Sequence, residues 1–157
     1  MELILIRHAD AEREASSDFE RELTDKGRKQ SKRVGRFLAG AEVRPDAILT
    51  SPLVRARQSA ELVADELGCK SAVEDDQRLA SGMAPKDAFA VLRDHEEDAC
   101  VALVGHEPDF SELAGALAGM NDPACIEVKK ASCLLFEVER PVAGGGVLRW
   151  LVPVKQM

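Results

Sequence analysis

No stretch of this 157-residue chain approaches the ~20 uncharged apolar residues that a bilayer span requires. The first apolar run, residues 3–6, meets a charge at Arg7 and is also too short for the core of a secretory leader. Cysteine is scarce: Cys69, Cys100, Cys125 and Cys133 are widely spaced and form no CxxC pair. In strand-like surroundings Cys100 and Cys133 read as small buried hydrophobes. Positive charge is in deficit, with 21 lysines and arginines against 28 acidic residues and a net charge of −7. That balance argues against generic nucleic-acid binding, which leaves a basic footprint. Repeats, low-complexity tracts and linkers are missing as well. The expectation is one soluble domain over residues 1–157, with no membrane or nucleic-acid partner, in the cytoplasm with reduced thiols. Histidine is scarce too, three in all, and their placement matters.

The apolar content, 45% against 31% charged, is ordinary for a globular protein. Apolar runs at residues 3–6, 47–49, 100–104, 133–138 and 147–152 read as strands. The first three are nearly continuous, as in parallel strands covered on both faces. The last two flank "RPVAGGG", whose glycines suit the turn of an antiparallel hairpin. Between the strands lie helical segments. "LTDKGRKQSKRVGRFLAG" has Thr24 as N-cap and stops at Gly40. "SPLVRARQSAELVADELG" offers Ser51 as cap, Pro52 at the first helical position and Gly68 as terminator. Its Leu53, Ala56, Ala60, Val63 and Leu67 make one apolar stripe. "PKDAFAVLRDH" and "PDFSELAGALAG" each begin on proline. Alternating strands and helices predict a three-layer α/β/α sandwich with a mostly parallel central sheet and a C-terminal antiparallel hairpin.

Three strand-to-helix junctions carry polar residues that a buried strand end does not want. Arg7 and His8 follow the first strand, Ser51-Pro52 with Arg55 follows the second, and Gly105-His106 follows "CVALV". In open parallel sheets ligands bind beyond the carboxyl ends of the strands. All three junctions lie at such ends, so two arginines and two histidines can converge on one cleft. Arginine supplies a fixed fork of donors for phosphate oxygens and remains charged. Neutral imidazole is a competent nucleophile toward phosphorus, and neighbouring arginines favour its neutral form. The helix beginning near Pro108 adds backbone donors and positive potential.

Four phrases, "LIRHADA", "RELTDKG", "ILTSPLVRARQSAE" and "VALVGHEPDFSELA", resemble in order the histidine phosphatase superfamily (phosphoglycerate mutase-like), most closely its SixA-type phosphohistidine phosphatase branch. The resemblance implies a phosphoglycerate mutase-like fold and a nucleophilic His8 that becomes transiently phosphorylated. It implies that Arg7, Arg55 and His106 bind the phosphoryl oxygens and that Arg21 of "RELT" lines the same pocket. It implies no metal and no other cofactor; no carboxylate–histidine spacing suited to a metal is visible either.

Two departures bear on substrate. The usual RHG reads "RHA", with Ala9 in place of glycine. Mutase-like and small-molecule relatives carry a general-acid glutamate in the stretch that here reads "EDDQRLASGM". Glu74, Asp75 and Asp76 precede that place and Arg78 stands near it. An alkoxide leaving group needs a proton donor, whereas imidazolium, with a pKa near ~6.5, leaves far more easily than a group resembling water at ~15.7. A weak acid slot and a short 69–99 segment point to phosphohistidine in a partner protein. Asp10, Asp18 and Glu107 are the other candidate proton donors. A small-molecule phosphomonoesterase or mutase of the same superfamily, and a non-catalytic phosphate-binding module, are the rival readings. Lys26, Arg28, Lys29, Lys32, Arg33 and Arg36 read as a solvated helix face or, alternatively, as a docking surface for an acidic partner. Lys129, Lys130 and His95 read as surface residues, and Trp150 as packing in the terminal hairpin.

Overall fold

In strand β1 (Glu2–Arg7) successive side chains point to opposite faces, and both faces are apolar. A computed structural model of the chain, which describes residues 1–69, 72–122 and 125–157, shows where each face goes. Leu3 and Leu5 pack with α3 (Pro85–Leu92) and α4 (Asp109–Leu117). Ile4 and Ile6 pack with α1 (Asp25–Gly40) and α2 (Val54–Leu67). The alternation continues in β4 (Cys100–Gly105), where Val101 and Leu103 join the first cluster and Ala102 and Val104 the second. Two helical layers therefore cover one sheet, the α/β/α sandwich expected.

The sheet has six strands in the order β3-β2-β4-β1-β5-β6. β3 (Val73–Asp75), β2 (Ala47–Thr50), β4 and β1 run parallel to one another. β5 (Cys133–Val138) is antiparallel to β1, and β6 (Gly146–Val152) returns antiparallel to β5, the expected hairpin, with an irregularity between Leu135 and Phe136. β3 is not among the strands read from the sequence. It is a three-residue edge strand whose burial is only partial, so it carries no apolar signature. Trp150 packs beyond its hairpin, edge-on against Phe37 of α1 with ring centroids 5.7 Å apart. Cys133 is buried as expected, while Cys100 is only partly so.

The helix starts differ in instructive ways. Thr24 caps α1, its hydroxyl accepting the Gly27 N–H at 3.0 Å, and Gly68 ends α2 in the left-handed conformation, φ 72°. Ser51 and Pro52, however, stand outside α2, which begins at Val54 with Leu53 as an uncapped N-cap. The Ser51 hydroxyl is engaged instead with the Leu53 N–H at 3.3 Å and with a histidine described below. Similarly α4 begins at Asp109, with Pro108 as its N-cap after a cis Glu107–Pro108 bond.

The N-terminal turn of α1 rests on the loop leaving β1. Thr24 Oγ1 donates to Asp10 Oδ2 at 3.0 Å, and the Gln30 side-chain oxygen accepts the Asp10 N–H at 3.0 Å. A Cβ on Gly27 would stand 1.9 Å from the Asp10 carbonyl oxygen, so only glycine permits this seat. Gly27→Ala should therefore lower stability by about 1–3 kcal/mol, as overpacking does, although alanine is the better helix former. Gly40→Ala, with no atom within 4 Å of the added Cβ, should be neutral or mildly stabilising. Urea unfolding midpoints of the two variants check the contrast; equal midpoints would show that the loop yields to α1.

Candidate active site

Strand order places the three junctions side by side. β2, β4 and β1 are consecutive in the sheet, and their register extends past the strand ends: Ser51 N–H donates to the Val104 carbonyl at 2.9 Å, and His8 N–H to the Gly105 carbonyl at 2.9 Å. His8, Ser51 and His106 consequently form a row at the carboxyl edge of the sheet. Arg55, in the first turn of α2, reaches the same row. His8, Arg55 and His106 are 7%, 5% and 2% exposed, and the two imidazole centroids lie 5.2 Å apart.

The His8 ring is fixed by its own chain. Nδ1 lies 2.7 Å from the Ala9 carbonyl oxygen. A carbonyl can only accept, so Nδ1 carries the proton and Nε2 keeps its lone pair. Arg55 Nε–H donates to that Nε2 at 3.3 Å. Burial, then the neighbouring His106, Arg55 and Arg7, push the His8 pKa down to about 3 against the Ala9 hydrogen bond, which favours the protonated ring. His106 is pushed down to about 4 by burial and by Arg55 and Arg7, against the opposing pull of Asp18. Its Nε2 lies 2.7 Å from Ser51 Oγ. That oxygen also accepts the Leu53 N–H; when it gives its own proton to His106 Nε2, the neutral ring carries its hydrogen on Nδ1, as a donor.

Arg7 sends Nη1 to the Val128 carbonyl at 2.7 Å, and burial lowers its pKa, opposed by nearby Glu107. Arg7 Nε and His106 Nδ1 are buried without a hydrogen-bond partner among the described residues, and so is Ser132 Oγ, whose residue accepts the Arg7 N–H through its carbonyl. Buried polar atoms ordinarily find partners. Two orphaned nitrogens beside a neutral imidazole suit a tetrahedral oxyanion with several acceptor oxygens.

Arg21 is not brought into this row. Its Nε donates to the Glu12 carbonyl at 2.6 Å and its Nη1 to Asp18 Oδ1 at 3.0 Å. Asp18 in turn holds Arg55, Oδ2 accepting from Nη2 at 3.1 Å and the carbonyl from Nη1 at 2.7 Å. Arg21 is thus linked to Arg55 through Asp18, within the loop of residues 12–22, which the Ala11–Leu23 bridge closes at its base. The sequence reading also missed Ser51 as the partner of His106, and Ser59, whose hydroxyl accepts the Ala9 N–H at 3.1 Å. The only local signal for Ser51 was its place after a strand, in "TSP".

The candidate proton donors separate. Asp10 is held below the ordinary carboxylate range by Lys130, and Asp18 by Arg21 and Arg55. Asp76 is likewise lowered by Arg78, which also pairs with Asp94, while Asp75 pairs with Arg57. Glu107 alone of these is pushed up, by burial, while its Oε1 accepts the Ser111 N–H at 2.9 Å. Lys130 is exposed, as expected, and pairs there with Asp10 at 2.8 Å. Among the described residues no group of three or more His, Cys, Asp or Glu side chains could hold a metal ion, and no helix is long and apolar enough to cross a membrane.

Nitrogen-15 NMR of the free protein at about pH 5.5, where an ordinary histidine of pKa ~6.5 is mostly charged, should find both His8 and His106 neutral, with His8 protonated at Nδ1. A charged His8 ring at that pH would contradict the burial and tautomer described.

Comparison with known proteins agrees with this geometry. Residues 3–81 match the histidine phosphatase superfamily (branch 1). The phosphohistidine phosphatase SixA of Escherichia coli is 30% identical over 153 residues, covering 96% of this chain and 92% of that protein. An uncharacterized protein of Picosynechococcus is 38% identical over 143 residues, covering 85% and 83%. The structure of the protein histidine phosphatase SixA complexed with tungstate superposes with a TM-score of 0.90 at 26% identity, covering 99% of this chain and 98% of that one. With its Arg7-His8 junction, its second histidine on β4 and its sheet order in place, the chain belongs to the histidine phosphatase superfamily, as a phosphatase of SixA-like form.

Proposed function

We propose that this protein removes phosphoryl groups from phosphohistidine in other proteins, without a metal, by way of a phosphohistidine formed on His8. The observation that carries the reading is the Nε2 lone pair of a buried, neutral His8, set among Arg7, Arg55 and His106. In the first step Nε2 attacks phosphorus and a P–N bond forms. The bond from phosphorus to the leaving imidazole breaks, and its electron pair stays on the leaving nitrogen, which takes up a proton from solvent. Arg7, Arg55 and His106 Nδ1–H hold the charge that spreads over the phosphoryl oxygens. In the second step water attacks, the P–N bond to His8 breaks, the pair returns to Nε2, and the proton lost by water passes to solvent.

The substrate class is supported by the ion-paired state of the two carboxylates at the end of β3. Asp75 and Asp76 are committed to Arg57 and Arg78, and a paired carboxylate is a poor acid. A phosphorylated imidazole has the least need of one. The segment from 69 to 99 is short, and its described part, which leaves out residues 70 and 71, is built on β3, a short turn at Gln77–Leu79 and the eight-residue α3. The protein named phosphohistidine phosphatase among its relatives points the same way. Cytoplasmic action belongs to this reading, supported by four free thiols. A second reading, a small-molecule phosphomonoesterase, is favoured by Glu107, whose raised pKa and nearness to Arg7 suit a proton donor.

A panel of phosphohistidine peptide, phosphoramidate, sugar phosphates and phosphoserine peptide decides between them: the first two should lead in kcat/KM by a wide margin, and a preferred sugar phosphate would hand the function to the second reading. Acid-quenched reactions should trap an acid-labile phosphoryl group on the wild type and none on a folded but inactive His8→Ala protein. Retained turnover in that variant would end the mechanism, and a wild type that binds phosphate without turnover would make the protein a binding module.

Arg55→Ala should cost on the order of 10² or more in kcat/KM, as loss of a preorganised charge-stabilising donor does. Lysine should restore it only in part, lacking the fork. Arg21→Ala should cost less than Arg55→Ala, because Arg21 acts through Asp18. Near-normal kinetics in Arg55→Ala would remove α2 from the site.

A further inference from the structure

The chain carries a net charge of −7, yet α1 holds six cations, Lys26, Arg28, Lys29, Lys32, Arg33 and Arg36, against the single carboxylate of Asp25. Spacings of three and four residues align Lys26, Lys29, Arg33 and Arg36 along one exposed stripe. The protein neutralises the stripe only in part, and among the described residues leaves Lys29 and the flanking Arg28 and Lys32 as its uncompensated cations. Arg36 pairs with Glu66, and Arg33 donates to the Met157 oxygen. The side chains of Arg28, Lys29 and Lys32 make no ion pair with any described residue. Like charges one helical turn apart repel, so fold stability alone does not account for this arrangement.

The stripe borders a groove of about 430 Å³, lined by Lys26, Lys29, Gln30, Arg33, Val154 and Lys155. One wall of the groove reaches the loop that follows His8. Gln30, in its wall, accepts the Asp10 N–H, and Asp10 lies two residues beyond His8. Lys26 is close enough to Asp10 to lower its pKa, and Lys130 pairs with Asp10 from a different segment. A cationic track therefore runs from the edge of the His8 loop along α1.

We propose that this groove and the exposed face of α1 dock an acidic protein surface on which the phosphohistidine is carried, and so orient the phosphorylated ring toward His8. The inference rests on the phosphohistidine reading above and adds the chemistry of the partner. Charge complementarity commits it to an acidic partner. The protein is negative overall, so such a surface is repelled elsewhere and drawn to α1, which raises the rate of productive encounter and fixes its orientation. The same overall negative charge disfavours nucleic acid as the occupant.

Three phosphohistidine peptides of equal length, flanked by glutamates, serines or lysines and phosphorylated with phosphoramidate, provide the probe. Wild type should prefer glutamate over serine over lysine flanks in kcat/KM. The double variant Lys29→Glu/Lys155→Glu should lose about tenfold or more on the glutamate-flanked peptide at low salt while keeping its rate on free phosphoramidate. Reversing Lys86 and Arg140, both exposed and outside the groove, should change neither rate. Equal cleavage of the three peptides, or a Lys29→Glu/Lys155→Glu protein that matches wild type on all of them, would overturn the docking proposal and leave the phosphohistidine reading standing. A wild type active on phosphoramidate and sugar phosphates but on none of the peptides would overturn both. Duplex DNA binding abolished by the same double variant would give the groove to nucleic acid and overturn the acidic-partner proposal.

Discussion

The hydrogen bond from His8 Nδ1 to the carbonyl of the next residue, 2.7 Å long, is the constraint on which the site depends. It selects one tautomer, turns the ring and leaves a single nitrogen with a free lone pair facing Arg55. That bond in turn depends on where the Ala9 peptide lies. Ser59 accepts the Ala9 N–H and donates its own hydroxyl proton to the Arg55 carbonyl at 2.8 Å. One turn of α2 thus both presents the guanidinium and steadies the loop that aims the imidazole. Positioning of this kind, rather than any reactive group foreign to ordinary side chains, is what phosphoryl transfer asks of a protein.

Charge is arranged on the same principle. A guanidinium 5% exposed needs a partner, and Asp18 supplies one from a loop whose carboxylate side chain is itself 60% exposed. The Arg55–Asp18 pair therefore has one buried end and one end in contact with water, where a competing anion can reach it. Arg21 grips the other oxygen of the same carboxylate. The two arginines are linked through a shared acid. Their contributions should not be additive, because each sets the geometry of the acid that the other uses.

Most of the architecture was legible in the sequence because it is written locally. The apolar runs of β1, β4 and β5, the Thr24 cap and the Gly68 stop each need only a few neighbouring residues to be recognised, and the Arg7-His8 and Gly105-His106 junctions stand out against buried strands. What was not legible depends on tertiary context. β3 is a strand because it lies against β2, not because "VED" favours extension. Ser51 reads as a helix cap until His106, 55 residues away, claims its hydroxyl. Arg21 matches the family phrase, but its ion pair with Asp18 and the Asp18 link to Arg55 across 37 residues leave no trace in local pattern. The basic face of α1 was visible as a run of charges, while its approach to the His8 loop required the seat of Gly27 against Asp10.

The strand order carries a consequence for how the molecule is made. β1, which delivers His8, lies between β4 and β5, strands nearly a hundred and more than a hundred and thirty residues further along the chain. Its hydrogen-bonding neighbours on both sides are thus synthesised long after it. A ribosome-bound chain that has emerged only as far as α2 possesses the nucleophile and Arg55 but neither strand that flanks β1, and His106 has yet to appear. The imidazole stays an ordinary, solvated and basic histidine until the sheet closes around it. The site is therefore assembled late, when β4 and β5 close on β1, so that an incomplete chain carries the separate parts of a phosphatase but not their arrangement.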